Sequence, residues 1–134
     1  MPDDKDQTPI KVLNKIVLMV EDDPVLIRMY SEKFNYEGLG VIAARDGQEA
    51  LQLAQKEKID FILLDIMLPR MSGTDFLERF RETEKGKNVP VLVLTNLTEQ
   101  GERDRAIKLG VKEYLVKAMH TPDQVVQKIK DYLK

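Results

Sequence analysis

The sequence predicts an α/β fold in which one doubly wound sheet of five parallel strands is covered by helices on both faces. From Lys15 onward, five short apolar runs alternate with amphipathic stretches, as in successive right-handed βαβ units. Three of the runs are nearly continuous rather than alternating, which is typical of parallel strands buried on both faces. The length of 134 residues suits a single domain with one core.

The five apolar runs predict the strands in chain order. They cover residues 16–20, 39–44, 59–64, 91–94 and 114–116. None approaches the roughly 18 apolar residues that a membrane-spanning helix needs, so we expect all five to be buried strands of one sheet.

Capping residues and the spacing of apolar residues predict three helices between the first four strands. Asp23 and Pro24 suit the N-cap and first position of the first helix. Asp46 suits the N-cap of the second helix, whose apolar residues fall on one side. Apolar residues over residues 73–84 predict the third helix.

The last two helices have signals of different strength. Thr98 predicts the N-cap of a weaker fourth helix that reaches Leu109 and ends at Gly110. Thr121 and Gln124 have the spacing of a capping box at the start of the fifth helix. An apolar stripe follows them, as expected for a helix that packs on the sheet.

The composition of the two ends of the chain predicts the domain boundaries. Residues 1–9 are polar and acidic and contain two prolines, which favours a flexible leader. We place this leader over residues 1–12 and the folded domain over residues 13–134. Since the predicted last helix takes up the residues after Lys117, we expect no output domain.

The composition also excludes several classes of site. The chain has no cysteine, which excludes disulfides, cysteine-ligated zinc and a thiol nucleophile. His120 is the single histidine, which excludes a histidine-rich metal site. The formal net charge is −2 without a basic stripe, so we expect no direct binding of nucleic acid. Because no signal peptide or membrane span is recognisable, we expect a cytoplasmic protein that does not bind membranes.

Polar side chains follow four of the predicted strands at the point where each strand ends. They are Glu21 and Asp22 after the first strand, Asp65 after the third, Thr95 after the fourth and Lys117 after the fifth. In a parallel sheet these ends lie at the same edge, where open α/β folds place their ligands. We therefore expect carboxylates, a hydroxyl and an ammonium to converge there.

These residue types favour a bound cation and an incoming anion. Packed carboxylates repel one another unless a cation or a proton is present. Mg²⁺ fits best, because it takes one or two carboxylates together with waters and phosphate oxygens. Thr95 and Lys117 then suit a phosphoryl group, which has several acceptor oxygens. The residues predict Mg²⁺-assisted phosphoryl chemistry but do not decide which atom receives the phosphoryl group.

Four motifs in this order make the chain resemble the receiver domain of bacterial two-component response regulators, in particular the single-domain, chemotaxis-regulator type. The motifs are Val20-Glu21-Asp22-Asp23, Leu63-Leu64-Asp65-Ile66-Met67-Leu68-Pro69 with Gly73 beyond, Leu94-Thr95, and Tyr114-Leu115-Val116-Lys117. The resemblance covers roughly residues 13–134. It implies a flavodoxin-like (βα)5 fold with the strand order 2-1-3-4-5.

The resemblance also implies roles for the acidic residues. Asp65 matches the aspartate that accepts a phosphoryl group. Asp22 matches a direct Mg²⁺ ligand, and Glu21 matches an acid that acts through water. Met67 lies where the family contributes a backbone carbonyl to the ion, so the implied metal site consists of these four residues.

The remaining implied roles belong to the switch. Thr95 matches the hydroxyl that moves to bond the phosphoryl oxygen, and Lys117 matches the lysine that pairs with it. Tyr114 matches the aromatic residue that turns inward when Thr95 moves. An aspartyl phosphate adds nearly two negative charges, and these new pairings bias a two-state surface.

The resemblance implies a stand-alone response regulator, which is not an enzyme but a self-dephosphorylating signalling switch. A sensor histidine kinase or a histidine phosphotransfer protein would supply the phosphoryl group. The surface of the fourth helix, fifth strand and fifth helix would then bind a downstream protein, or a second copy of the chain in a phosphorylation-dependent homodimer.

The sequence departs from the family pattern after Lys117, where Ala118 stands in place of a proline that follows a cis peptide bond. A non-proline cis bond costs about 2.5–4 kcal/mol. We therefore expect either a trans bond with a shifted start of the last helix, or a cis bond under strain. Met67 and Leu97 occupy the two positions that flank the attacking water in the family, and their apolar side chains predict slow self-dephosphorylation.

Three other classes of function stay open on the residues alone. A small Mg²⁺-dependent phosphohydrolase would need further acids and a cap domain, which the chain lacks. A flavodoxin-like cofactor binder would need a phosphate loop, whereas the acidic residues 21–23 would repel phosphate. A degenerate receiver would act only as a docking module, although the matched residues are all present.

Overall fold

The structure is a computed structural model that describes residues 14–134, so the leader predicted over residues 1–12 lies outside the described residues. Strands and helices alternate along the described chain, as predicted. They are β1 (Ile16–Val20), α1 (Pro24–Tyr36), β2 (Gly40–Ala44), α2 (Gly47–Lys56), β3 (Phe61–Leu64), α3 (Gly73–Arg81), β4 (Val91–Thr95), α4 (Gln100–Lys108), β5 (Glu113–Val116) and α5 (Pro122–Tyr132). Within residues 14–134, none of the helices has the length and apolar character needed to cross a membrane.

The strands form one parallel sheet in the order β2-β1-β3-β4-β5, which confirms the order that the resemblance implies. At the end of β1, Val20 lies between Ala44 of β2 and Leu64 of β3. The carboxyl ends of these neighbouring strands therefore reach the same edge, and the residues that follow them are brought together.

Helices cover both faces of the sheet because successive strand residues point to opposite faces. On one face, Val17 of β1 belongs to a core that includes Phe34 of α1 and Ile129 of α5. On the other face, Leu18 belongs to a core that includes Phe76 of α3. All five of these side chains are fully buried, so the predicted doubly wound arrangement is confirmed.

Predicted capping residues begin three of the helices. Asp23 and Asp46 each accept a hydrogen bond of 2.9 Å from a backbone N–H in the first turn of α1 and α2. Thr121 and Gln124 form both hydrogen bonds of the predicted capping box at α5. These bonds satisfy N–H groups that have no partner inside the helix.

The N-cap predicted at Thr98 is wrong, since α4 begins at Gln100. The chain before it is held as a loop, because the Thr95 hydroxyl accepts a hydrogen bond of 3.2 Å from the Leu97 N–H. This bond draws the backbone back towards β4. Only Ala106 of α4 is buried, so little packing favours an earlier start of the helix.

Candidate functional site

Three carboxylates meet at the carboxyl edge of the sheet. Glu21 and Asp22 follow β1 and Asp65 follows β3, and one oxygen of each lies within 4.8 Å of the others. Glu21 and Asp65 are buried, whereas Asp22 is exposed. The structure therefore brings together the acidic residues that the strand ends predict.

Lys117 lies among these carboxylates at the end of β5. Its Nζ donates a hydrogen bond to Asp65 Oδ2 at 2.7 Å and lies 2.7 Å from Glu21 Oε1. The side chains of Glu21 and Asp65 are less than a tenth exposed and that of Lys117 is 18% exposed. Shielding from water strengthens the attraction between such charges.

These surroundings shift the pKa values of Glu21 and Lys117. Burial raises the pKa of Glu21 above its usual value, against hydrogen bonds from Lys117 and the Asp23 N–H that lower it. Burial alone would lower the pKa of Lys117, but its hydrogen bonds to Asp65 and Glu21 outweigh burial and raise that pKa. Among residues 14–134, one ammonium thus stands with three carboxylates, which gives this part of the site an excess of acidic groups.

This donor set fits a hard divalent cation. Mg²⁺ prefers carboxylate and carbonyl oxygens and keeps several waters, and the exposed Asp22 leaves one side of the cluster open to solvent. Met67 lies on the loop after β3, where its N–H donates a hydrogen bond of 3.1 Å to Asp65 Oδ1. The residues predicted to hold the ion are therefore neighbours, and their acidic groups fit a divalent cation such as Mg²⁺.

Thr95 and Tyr114 are connected through the backbone of Leu97. The hydroxyl of Thr95, buried at the end of β4, accepts the Leu97 N–H at 3.2 Å, and the Tyr114 hydroxyl donates to the Leu97 carbonyl at 2.6 Å. Arg103 lies 5.5 Å from the centre of the Tyr114 ring, in cation–π geometry. The two predicted switch residues thus lie two hydrogen bonds apart. No sequence signal indicates this link, because it uses a backbone carbonyl and a backbone N–H, which every residue except proline has.

The peptide bond between Lys117 and Ala118 is trans, since residues 14–134 contain no cis peptide bond. Of the two alternatives for this bond, the trans form is therefore the one found. A 3₁₀ turn follows β5 directly, and the side chain of Asn96 accepts a hydrogen bond of 3.2 Å from the Ala118 N–H. Asn96 is a site neighbour that the strand-end rule could have indicated, because it follows Thr95 directly.

Gly73 begins α3 against the backbone of the acidic cluster. A Cβ atom at this position would overlap the carbonyl oxygen of Asp65 and lie 2.8 Å from the Cα atom of Ile66. Since backbone cannot move aside as a flexible side chain can, we expect Gly73→Ala to lower the free energy of unfolding by about 1–3 kcal/mol. Urea denaturation measures this change.

Gly101 in α4 offers a matched control. A Cβ atom there meets only the Glu99 side chain, at 3.6 Å. Because alanine favours a helix over glycine, Gly101→Ala should leave the free energy of unfolding unchanged or raise it by up to about 1 kcal/mol. Equal losses in the two variants would contradict the close approach at Gly73 as the cause.

Comparison with known proteins gives one family. The model of the response regulator receiver domain matches residues 17–130. The probable transcriptional regulatory protein TcrX of Mycobacterium tuberculosis is 36% identical over 111 residues, which are 83% of this chain and 47% of TcrX. The polar-differentiation response regulator DivK of Brucella ovis is 31% identical over 90% of this chain and 98% of DivK. The chain thus spans about half the length of TcrX and nearly all of DivK.

A solved structure is similar in fold. The receiver domain of the sensor histidine kinase PA1611 from Pseudomonas aeruginosa superposes with a TM-score of 0.78 at 28% identity. The similarity covers 89% of this chain and 97% of that one. That structure holds a magnesium ion coordinated in its active-site cleft.

Proposed function

The chain belongs to the receiver domain family of two-component response regulators, and from this membership we propose that it accepts a phosphoryl group on Asp65 in a Mg²⁺-dependent reaction. The observation that supports this most is the hydrogen bond of 2.7 Å from Lys117 to Asp65 inside a group of three carboxylates. An ammonium beside the acceptor can offset the charge that develops on a transferred phosphoryl group. We assign the domain to residues 13–134.

In the proposed transfer, an Asp65 carboxylate oxygen forms a bond to phosphorus while the bond from phosphorus to the donor breaks and the donor keeps the electron pair. Lys117 stabilises the added negative charge. The residues that would hold the ion are Glu21, Asp22, Asp65 and the carbonyl of Met67. Bound Mg²⁺ would neutralise charge on the phosphoryl oxygens. The chain's own contribution is to hold these groups in place.

The hydrogen bonds of Leu97 suggest how phosphorylation would reach the surface. When the Thr95 hydroxyl turns to donate to a phosphoryl oxygen, it gives up the bond that it accepts from the Leu97 N–H. Leu97 is then free to move, and Tyr114, which is bonded to its carbonyl, loses the partner that fixes its ring. The proposed output is a change in the surface of α4, β5 and α5.

We propose the following partners for this cycle. A sensor histidine kinase or a histidine phosphotransfer protein donates the phosphoryl group, in the cytoplasm. The surface of α4, β5 and α5 binds a downstream protein or a second phosphorylated copy of the chain, and not nucleic acid or a membrane directly. The protein is a signalling switch and not an enzyme.

The lifetime of the phosphoryl group is proposed to be long. The Met67 side chain is exposed next to Asp65, and Leu97 packs against the core beside the site. Neither side chain can orient or deprotonate a water molecule, so self-dephosphorylation lacks the help that a polar group would give.

The direct experiment is incubation of the chain with acetyl phosphate and Mg²⁺, followed by intact-mass and peptide mass spectrometry. We expect one phosphoryl group per chain, located on Asp65, and no incorporation when EDTA removes the ion. Absence of incorporation with Mg²⁺, or incorporation at another residue, would overturn the proposal. Turnover of a phosphomonoester beyond one equivalent would instead favour a phosphohydrolase.

A further inference from the structure

The loop between β3 and α3, residues 65–72, contains an arginine in an unusual backbone conformation that contacts Asp46, the N-cap of α2. Arg70 has φ 64°, a left-handed conformation that residues with a side chain adopt rarely. Its Nε and Nη2 both reach Asp46 Oδ2, at 3.0 Å and 2.6 Å. Glycine or asparagine would adopt this φ more readily, but neither could reach Asp46 with two charged donors.

Asp46 is a fixed anchor for this contact. Its side chain is 10% exposed, and its other carboxylate oxygen accepts the Glu49 N–H at 2.9 Å as the N-cap of α2. Hydrogen bonds from the Glu49 N–H and from Arg70 hold the pKa of Asp46 below its usual value. Arg70 is therefore held by a charged group that the helix itself keeps in place.

A second contact joins the same two segments through the backbone. The Gly47 N–H donates to the Met71 carbonyl at 3.0 Å, and a Cβ atom on Gly47 would overlap that carbonyl oxygen. The far end of the loop is thus held against α2 at two consecutive residues, Arg70 and Met71. The near end is held by the hydrogen bond from Met67 N–H to Asp65 Oδ1.

We propose that Asp46 and Arg70 are positioning residues for the metal site, which hold the loop so that the Met67 carbonyl faces the carboxylates and thereby set the affinity for Mg²⁺. This rests on the proposed function, because it assumes that Met67 is a ligand. The Arg70 side chain is 65% exposed, so the ion pair contributes little to overall stability. The ion pair acts instead on the conformation of the loop that it restrains.

The sign of the effect of Arg70→Met on Mg²⁺ binding distinguishes positioning from simple electrostatics. Removing a positive charge near the site would by charge alone strengthen the binding of a cation. Loss of positioning instead weakens the binding of the cation. A loss of about tenfold in affinity is common when a residue that orients a metal ligand is removed. We therefore expect Arg70→Met to raise the Kd for Mg²⁺, measured by calorimetric titration of the full chain with Mg²⁺ alone.

Three matched variants complete the test. Asp46→Asn keeps an N-cap acceptor but loses the charge, and it should weaken Mg²⁺ binding as Arg70→Met does. The double variant should be no weaker than either single variant, because both remove the same contact. Arg28→Met removes an arginine whose side chain is 84% exposed and pairs with Glu32 on α1, and it should leave the Kd unchanged or slightly lower.

A readout without metal keeps the inference separate from the proposed function. In the metal-free protein, the heteronuclear NOE values of the Met67 and Leu68 amides should fall in Arg70→Met and not in Arg28→Met. If Asp22→Asn weakens Mg²⁺ binding but Arg70→Met does not, the inference is wrong and the proposed metal site stands. If the wild-type chain does not bind Mg²⁺, both are wrong. Unchanged NOE values in Arg70→Met also overturn the inference.

Discussion

The Asp65→Asn variant is expected to take up no phosphoryl group from acetyl phosphate in the presence of Mg²⁺. Asparagine has nearly the shape of aspartate, and its side-chain oxygen can still accept a hydrogen bond from Lys117 or from the Met67 N–H. The amide cannot serve as the nucleophile that the carboxylate is, so the chemistry is lost while the fold is kept. Intact-mass spectrometry measures incorporation, and circular dichroism checks the fold.

Asp60 provides the control for this substitution. It directly precedes β3, whereas Asp65 directly follows the same strand. Its side chain is 13% exposed and accepts the Ile16 N–H at 2.8 Å, a bond that asparagine can also accept. Asp60→Asn should therefore take up one phosphoryl group as the wild-type chain does. Incorporation that persists in Asp65→Asn at the wild-type level would show that another residue is the acceptor.

The acidic cluster could be predicted from the sequence because its geometry follows from the direction of the backbone. Glu21, Asp65 and Lys117 each come directly after an apolar run, and parallel pairing places all such positions at one edge. The prediction needs no knowledge of loop structure. The N-cap at Asp46 could also be predicted, because a residue type that favours N-caps there precedes an amphipathic stretch.

The parts that could not be predicted depend on loop conformation. Leu97 joins Thr95 to Tyr114 through its N–H and carbonyl, which all residues other than proline have. Arg70, which contacts Asp46, has φ 64°, a value that its residue type does not favour. Thr98 has a residue type that favours N-caps. It follows a loop in which the Thr95 hydroxyl accepts a hydrogen bond from the Leu97 N–H, and the helix begins only after this loop. The contacts of Tyr114 with Leu97 and of Arg70 with Asp46 join segments that are far apart in sequence, and local sequence patterns do not contain them.

Removal of the Lys117 ammonium should destabilise the protein more than removal of any exposed lysine. In Lys117→Met, the buried carboxylates of Glu21 and Asp65 lose the ammonium that lies 2.7 Å from each. Breaking a buried ion pair from one side commonly costs about 3–5 kcal/mol. We expect about 3 kcal/mol near neutral pH, measured by urea denaturation, because Lys117 keeps some contact with water. Lys128, whose side chain is 38% exposed and pairs with Glu113, is the matched control, and Lys128→Met should cost at most about 1 kcal/mol.

The dependence of this loss on pH follows from the direction of the Glu21 shift. Burial already raises the pKa of Glu21 above its usual value of 4.5, and without Lys117 the pKa rises further, since the lysine lowers it. A carboxyl group whose pKa is higher in the folded than in the unfolded state binds more protons when folded, so stability falls as pH rises through the folded pKa. The deficit of Lys117→Met should therefore be greatest at neutral pH and shrink as the pH falls towards 4.5. Mg²⁺ should also stabilise the variant more than the wild-type chain. In the variant a bound cation relieves the repulsion among the carboxylates, which Lys117 reduces in the wild-type chain. A deficit that stays constant over this range, and that Mg²⁺ leaves unchanged, would mean that Lys117 stabilises the fold by packing and not by its charge.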